Sequence, residues 1–236
     1  LMGDGIMIGF LDTGIDYQNR VFRNLDGTTR IVGIWDQTIQ TGRTPQGLYY
    51  GTEYTEEMIN AALRSEDPLQ IVPSVDTDGH GTFVASAAAG GAEVGKRFLG
   101  AAPEASIAMV KLKPAKNYLK EFFVIAQDAV CYQENDIMLG LRYLNDLARK
   151  QGMPLVICVA LGTSFGGHNG DSLLADILDI YATVRNRCVV VGTGNEAARR
   201  HHYFNRFTDA QDMRTAEIRV GEGTQSLNYG VHFRIS

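Results

Sequence analysis

The sequence predicts an α/β fold with a central, mostly parallel sheet and helices on both of its faces. Short, nearly continuous apolar segments alternate along the chain with longer segments whose apolar residues recur at helical spacing, a pattern typical of parallel strands joined by helices. The apolar segments contain few polar residues, as expected for strands that are buried on both faces. With 236 residues, of which 44% are hydrophobic, the chain is long enough to bury a substantial core.

The individual elements follow from local patterns. The predicted strands cover residues 6–11, 31–35, 105–111, 155–161 and 188–191. The predicted helices cover residues 55–63, 80–89, 136–150 and 173–184. The alanine-rich helix 80–89 is followed by Gly90 and Gly91, which are typical residues at a helix C-terminus. Asp171 and Ser172 are candidate N-caps of the last helix, because their side-chain oxygens can accept free backbone N–H groups.

The pattern changes beyond about residue 211. Residues 215–220 and 227–235 alternate apolar and polar side chains and are separated by a Gly-Glu-Gly sequence, which predicts antiparallel β structure. We therefore divide the chain into an α/β domain, residues 1–211, and the beginning of an inserted or appended β domain, residues 212–236. Strand-like patterns stand close to both chain ends, and we expect the sequence to be a piece of a longer protein.

Composition and charge argue against several classes of protein. The chain has 22 Lys and Arg against 27 Asp and Glu, a net charge of −5, whereas a dedicated nucleic-acid binder usually carries a basic excess. No apolar run reaches the length of about 18 residues that predicts a membrane span. The 3 cysteines include no C-x-x-C pair and cannot form a disulfide framework. We expect them to be small, buried, apolar residues.

Three polar residues that could do chemistry stand at the ends of predicted elements. Asp12 follows the first strand, His80 opens the alanine-rich helix in the sequence Gly-His-Gly-Thr, and Asn195 follows the last parallel strand. In open α/β sheets, functional residues gather beyond the carboxyl ends of the strands. Taken singly, Asp12 is also a typical turn residue, His80 could be a structural histidine at a helix end, and Asn195 could occupy a left-handed turn.

The sequence Asp-Thr-Gly at residues 12–14 also occurs in aspartic proteases. An aspartic protease is mostly β and usually brings two such loops together. We reject this interpretation because helices and strands alternate around the motif here.

Taken together, the order Asp12, His80 and Asn195, with a Gly-His-Gly-Thr sequence opening a helix of small residues, resembles the subtilisin-like serine proteases, or subtilases. The resemblance covers about residues 3–200, and within the family the sequence looks like the germination-type proteases of spore-forming bacteria. It implies a subtilisin-like three-layer fold, an insertion around residues 37–68 relative to compact members, and an inserted β domain after the α/β domain.

The resemblance also implies a role for each of the three residues. His80 would be the general base that takes the proton of a serine nucleophile and later gives it to the leaving amine. Asp12 would accept the other ring N–H, fix the tautomer and stabilise the imidazolium. Asn195 would donate its side-chain amide to the oxyanion of the tetrahedral intermediate.

A further segment matches the part of subtilases that follows a central strand and lines the primary specificity pocket. Leu161, Gly162 and Thr163 would there contact substrate through main-chain hydrogen bonds and apolar surface. Alternatively, these three residues are simply the end of a strand followed by a glycine-rich loop and do not bind substrate.

The nucleophile is the main departure from the family pattern. In subtilases it stands in a Gly-Thr-Ser sequence after the Asn segment, and no such sequence follows Asn195. Ser164 follows Gly-Thr, but it precedes Asn195 and is followed by a glycine-rich stretch that cannot begin a helix. We therefore predict that this chain is a fragment that lacks the nucleophilic serine and that it does not hydrolyse peptides by itself. The alternatives are a pseudoprotease that acts as a binding partner, or an unrelated ligand-binding domain, in which Asp12 and His80 would lie far apart.

The resemblance implies a protein or peptide substrate, with the protein's own pro-segment as a further candidate partner, and it favours secretion or association with the spore. The chemistry requires no cofactor. Subtilases often bind structural calcium, but Asp76 and Asp78 are not followed by the remaining ligands of a calcium loop. The basic cluster at residues 199–202 could contact an acidic substrate or bind a metal ion, but we interpret it as a solvated loop, because adjacent histidines are poorly placed to share one ion. No metal site is predicted.

Overall fold

The computed structural model describes residues 2–92, 97–163, 169–195, 203–206, 208–209 and 212–217. Within these ranges six strands form a single sheet. The strands are β1 (Met7–Asp12), β2 (Ile31–Asp36), β3 (Thr52–Thr55), β4 (Ser106–Lys111), β5 (Leu155–Val159) and β6 (Arg187–Val191). The α-helices are α1 (Glu56–Arg64), α2 (Pro68–Ile71), α3 (His80–Ala89), α4 (Asn117–Phe122), α5 (Glu134–Gln151) and α6 (Leu173–Thr183).

The strands lie in the order β3-β2-β4-β1-β5-β6. Every neighbouring pair is parallel except β2 with β3, which is antiparallel. The central strand β1 pairs with β4 on one side and β5 on the other, and Asp12 is aligned with Lys111 at the end of β4. Because the carboxyl ends of parallel strands meet at one edge of the sheet, the segments that follow β1, β4, β5 and β6 lie at the same edge.

Helices bury both faces of the sheet, as two neighbouring residues of β1 illustrate. Phe10 and Leu11 are both 0% exposed, and successive side chains of a strand point to opposite faces. Phe10 packs in a core that includes residues of α1 and α3, while Leu11 packs in a second core with residues of α5. The predicted α/β fold with a mostly parallel sheet between helical layers is therefore confirmed.

The predicted strands and helices recur with small changes at their ends, and α3 has the predicted bounds. Ser172 rather than Asp171 is the N-cap of α6, because its hydroxyl accepts the backbone N–H of Ala175 at 3.1 Å. Three elements escape the sequence prediction: β3, α2 and α4. Each has only 4 to 6 residues, too few for a periodic pattern to stand out.

The expectation of buried cysteines is wrong. Cys131 and Cys158 are half-buried, and Cys188 is exposed. Cys188 belongs to β6, the outer strand of the described sheet, where Val190 is also 52% exposed. The described residues cover this outer strand only in part, so its apolar side chains are not fully buried.

Two predictions concern parts of the chain outside the described residues. Residues 212–217 have no regular secondary structure. The remainder of the proposed β domain, residues 218–236, and the basic cluster at residues 199–202 are not described, so both interpretations stay predictions. No described helix is long and apolar enough to span a membrane.

Candidate active site

Asp12 is the last residue of β1, and its carboxylate is buried at the carboxyl edge of the sheet. The residue is 1% exposed. Its Oδ1 accepts the backbone N–H of Thr13 at 2.7 Å and lies 2.7 Å from Nδ1 of His80. The structure therefore brings together two of the residues singled out in the sequence, across 68 positions of chain. An unrelated domain in which these two side chains lie far apart is contradicted.

His80 is the first residue of α3, directly after Gly79, whose φ of +88° is the left-handed conformation that glycine adopts without strain. The imidazole binds Asp12 through Nδ1, yet 46% of the side chain is exposed. A ring held by a buried carboxylate on one edge and open on the other can exchange a proton through Nε2 with a group outside the protein core.

The free backbone N–H groups at the start of α3 are satisfied by side chains. The carboxylate of Asp76 accepts the N–H groups of Gly79 and Thr82, at 3.0 and 2.8 Å. Thr13 Oγ1 accepts the N–H of Gly81 at 2.9 Å, while Asp78 accepts the N–H of His80 itself at 3.3 Å. Polar groups from the loop after β1 and from the segment before α3 thus complete this helix end.

The carboxylates around His80 stabilise its charged form. The hydrogen bond to Asp12 raises the pKa of His80 above its ordinary value of 6.5; burial opposes this effect, and the negative charges of Asp12, Asp78 and Asp76 add to it. A helix N-terminus by itself disfavours a cation. The acidic side chains oppose that effect here and stabilise the imidazolium that forms when the ring takes up a proton.

The proposed substrate segment and Asn195 lie beyond β5 and β6 at the same sheet edge as Asp12. Leu161 packs partly buried against the core on the α5 side, while Gly162, Thr163 and Asn195 are exposed. A Cβ atom built on Gly162 would lie 3.2 Å from the Cα of Gly194. The loops after β5 and β6 are therefore in close contact. The first of them follows β5, which is the direct neighbour of β1, the strand that carries Asp12.

Sequence reasoning missed the residues that support this pair. Asp36, at the end of β2, is 0% exposed and accepts the hydroxyl of Ser74 at 2.7 Å. Lys111 Nζ lies 3.5 Å from the Asp36 carboxylate and donates to the carbonyl of Val75 at 2.9 Å. These contacts fix the segment that leads to Asp76. The sequence feature that could have identified these residues is that β1, β2 and β4 each end in a charged residue, namely Asp12, Asp36 and Lys111.

Tyr132 is a second residue that the sequence did not single out. It is half-buried, and its burial, followed by the negative charges of Asp12, Asp78 and Asp76, raises its pKa. Among the described residues, no three His, Cys, Asp or Glu side chains are arranged to hold a metal ion. A structural calcium site stays a matter of family resemblance.

Comparisons with known proteins bear on the family and the fold of this chain. The model of the subtilase family, Peptidase S8, matches residues 3–220. No curated protein matches the chain. The structure of the CspB protease of Clostridium perfringens is similar, with 36% identity and a TM-score of 0.71, over 84% of this chain and 38% of that one. The germination-type resemblance fits this match.

Two further structures align more distantly. They are an S41 psychrophilic protease, with 24% identity, and sphericase, with 21% identity, each with a TM-score of 0.48 and over 80% of this chain. The alignments cover 45% and 46% of those proteins. This chain spans 38%, less than half, of the CspB protease structure. Since the family model matches nearly the whole chain, this chain belongs to the subtilase family.

Proposed function

We propose that this chain supplies the general base, the orienting carboxylate and the oxyanion donor of a serine endopeptidase that hydrolyses peptide bonds in a protein substrate. The 2.7 Å contact between His80 Nδ1 and Asp12 Oδ1 carries the proposal. It joins a buried acid to an exposed imidazole at the sheet edge where active sites of α/β proteins form. The chain spans 38% of the CspB protease structure, so the activity concerns the complete protein.

His80 is the proton carrier in this proposal. With Nδ1–H donated to Asp12, Nε2 of the neutral ring accepts the hydroxyl proton of a serine as the serine oxygen attacks the scissile carbonyl. The imidazolium then gives the same proton to the leaving amine, and an acyl-enzyme forms. In the second half, water attacks the acyl carbonyl while His80 takes its proton; the bond between the acyl carbon and the serine oxygen then breaks, the serine oxygen takes the proton back, and the acid product leaves.

The nucleophilic serine belongs, in this proposal, to a segment outside the present sequence. The chain contains no Gly-Thr-Ser sequence after Asn195, so residues 1–236 alone are expected to be inactive toward peptides. A serine hydroxyl is a weak nucleophile unless a base lies within hydrogen-bonding distance. The exposed edge of His80 is where that hydroxyl is expected.

Asn195 and the loop after β5 are proposed to bind the substrate. Asn195 lies on an exposed turn after β6, and its side-chain amide would donate to the carbonyl oxygen as negative charge develops there. Gly162 lies against Gly194, which sets the loop of Leu161, Gly162 and Thr163 beside Asn195. An extended peptide along this loop would have its scissile bond between Asn195 and the dyad, by which we mean the hydrogen-bonded pair Asp12 and His80.

A serine-directed phosphonate, applied to the complete protein, tests the proposal. We expect covalent labelling of one serine and cleavage of a denatured protein substrate. His80→Ala should slow labelling by about a thousandfold or more, because a triad without its base retains little reactivity. Ala87→Ser is the matched control, since Ala87 is exposed on the same helix, and it should label at the wild-type rate.

Two results would contradict the proposal. A folded complete protein that neither reacts with the phosphonate nor cleaves substrate would be a pseudoprotease. Equal labelling rates for wild type and His80→Ala would show that a different base activates the serine.

A further inference from the structure

We propose that Asp76 is a positioning residue that holds Asp12 and His80 in contact by fastening the loop after β1 to the first turn of α3. The importance of that contact for catalysis rests on the proposed function. The positioning itself is a property of this chain and can be measured without any peptidase activity.

The carboxylate of Asp76 accepts four hydrogen bonds from three residues. Its Oδ1 accepts the Thr13 hydroxyl at 2.8 Å and the Gly79 N–H at 3.0 Å. Its Oδ2 accepts both the N–H and the hydroxyl of Thr82, at 2.8 and 2.6 Å. Gly79 and Thr82 belong to the start of α3, whereas Thr13 follows β1. Asp76 therefore joins the start of α3 to Thr13, which lies 63 positions before Asp76 in the chain.

Thr13 transmits this arrangement to Asp12. Its backbone N–H donates to Asp12 Oδ1 at 2.7 Å, the same oxygen that contacts His80. Its hydroxyl donates to Asp76 and also accepts the N–H of Gly81. The position of Asp12 Oδ1 is thus tied, through one residue, to the helix end that carries the imidazole.

Thr82 extends the connection in the other direction. Its hydroxyl donates to Asp76 and accepts the backbone N–H of Asp16 at 2.9 Å. The loop after β1 is therefore attached to α3 at Thr13 and again at Asp16. With both attachments passing through partners of Asp76, the loop cannot shift along the helix without breaking several hydrogen bonds.

Asp76 is itself held by the sheet. The preceding residue, Val75, accepts a hydrogen bond from Lys111 Nζ, and Ser74 donates to the buried carboxylate of Asp36. Asp76 therefore joins the dyad to two further strand ends rather than to a loose loop.

The chemistry of the site requires an ionised carboxylate. Burial alone would raise the pKa of Asp76, but the hydrogen bonds from Thr82, Gly79 and Thr13 outweigh it and hold the pKa below its ordinary value. An asparagine has the same shape, but its NH₂ group would face two of the four donors. Asp76→Asn therefore breaks half of the connection and leaves donors without partners.

Asp78 is a matched control for the loss of charge. It is exposed, accepts one hydrogen bond from the described residues, of 3.3 Å, and, like Asp76, raises the pKa of His80 through its negative charge. Asp76→Asn and Asp78→Asn each remove one nearby negative charge. Only Asp76→Asn also breaks hydrogen bonds that attach Thr13 or Thr82.

The experiment follows the ring of His80 by NMR in the complete protein, labelled with ¹⁵N in histidine side chains. The two observables are the titration of the ring and the rate at which its Nδ1–H exchanges with water. We expect both aspartate variants to lower the pKa of His80. Only Asp76→Asn should also accelerate Nδ1–H exchange, by about tenfold, the effect of losing roughly one net hydrogen bond.

Variants of Thr13 provide a second test that leaves Asp76 in place. Thr13→Ser keeps the hydroxyl and should exchange Nδ1–H at the wild-type rate, whereas Thr13→Val should resemble Asp76→Asn. If Asp76→Asn does not fold, the Thr13 pair decides the question alone.

Two outcomes would overturn the proposal. Equal Nδ1–H exchange in Asp76→Asn and Asp78→Asn would show that Asp76 acts through charge only, and wild-type exchange in Thr13→Val would show that no positioning passes through Thr13. A complete protein with an intact, slowly exchanging Nδ1–H but no peptidase activity would contradict the proposed function while leaving the positioning role supported.

Discussion

Gly81, in the first turn of α3, lies directly against the backbone of Gly14 in the loop after β1. A Cβ atom built on Gly81 would lie 2.2 Å from the carbonyl oxygen of Gly14 and 3.1 Å from the Cβ of Asp12. No side chain fits in that space. The second glycine of the Gly-His-Gly-Thr sequence is therefore needed because helix and loop touch, and this contact brings His80 to Asp12.

The first prediction concerns that contact. Gly81→Ala should push the start of α3 away from the loop and destabilise the protein by about 1–3 kcal/mol, the usual cost of forcing an extra methyl into a packed site. Urea denaturation measures the stability, and the phosphonate labelling rate of the complete protein measures the effect on the dyad. We expect labelling to fall by about a hundredfold, because a small displacement of catalytic groups costs that much.

Gly152→Ala is the control for this variant. Gly152 has a φ of +68° at the end of α5 and no atom within 4 Å of a built Cβ, so alanine there strains only the backbone, by roughly 1–2 kcal/mol. It should lower stability while leaving the labelling rate unchanged. If Gly152→Ala slowed labelling as much as Gly81→Ala, general destabilisation rather than displacement of α3 would be the cause.

The second prediction is a pH dependence set by His80. Its pKa lies above 6.5 in the folded protein, with the Asp12 hydrogen bond as the main cause. Because the base must be neutral to accept a proton, kcat/KM of the complete protein should rise with pH through a midpoint above 6.5. Asp78→Asn should move that midpoint to lower pH. A midpoint below 6.5 in the wild-type profile would contradict the assignment of His80 as the base.

The same shift predicts how stability depends on pH. A group whose pKa is raised in the folded state contributes stability that is complete below its unfolded pKa and is lost as the pH rises through the folded pKa. The contribution of the dyad should therefore be full below about 6.5, the unperturbed value, and decline above it. Urea unfolding across this range, compared with His80→Ala, isolates the contribution, which the alanine variant should lack.

The third prediction concerns Asp12. Asp12→Asn keeps the size of the side chain but removes the charge that stabilises the imidazolium and fixes the tautomer, so kcat should fall by about 10⁴. KM should change little, because Asp12 is buried and cannot touch substrate. Asp4→Asn is the control, since Asp4 is exposed just before the same strand. A loss of less than about tenfold in Asp12→Asn would remove Asp12 from the mechanism.

The fourth prediction concerns the oxyanion donor. Asn195→Ala should lower kcat by about 10²–10³ with little change in KM, because the amide is expected to bind charge that develops only in the transition state. Thr193→Ala is a control on the same exposed turn and should retain most of the activity. A rise in KM at constant kcat in Asn195→Ala would instead indicate ordinary substrate binding.

The sequence predicts this site only in part, for a physical reason. The contact between Asp12 and His80 is expected only from the resemblance to the subtilases, because each residue taken singly is also compatible with a turn or a helix end. The role of Asp76 depends on which side chains face it across 63 positions, and no local pattern encodes that. The prediction that Cys188 is buried was wrong for a related reason: its exposure depends on which other parts of the protein cover β6.

The last prediction concerns Arg30, a buried arginine that donates to three backbone carbonyls rather than to a carboxylate. Its guanidinium donates to the carbonyls of Val21 and Ala89 at 2.6 Å and of Ala105 at 2.7 Å. Ala89 is the last residue of α3, so Arg30 supplies positive charge where a helix end favours it. Burial lowers the pKa of Arg30, but arginine remains charged throughout the physiological range.

Arg30→Met should destabilise the protein by about 3–5 kcal/mol, because it removes the guanidinium from the buried carbonyls of Ala89 and Ala105 and leaves that of Val21 with the N–H of Gly91 alone. Urea denaturation measures the loss, and Arg64→Met, on the exposed side of α1, should stay within about 0.5 kcal/mol of wild type. Since Arg30 holds the far end of α3 and not the end that carries His80, variant protein that remains folded should keep the wild-type pH profile. A loss below about 1 kcal/mol would mean that water replaces the guanidinium at these carbonyls.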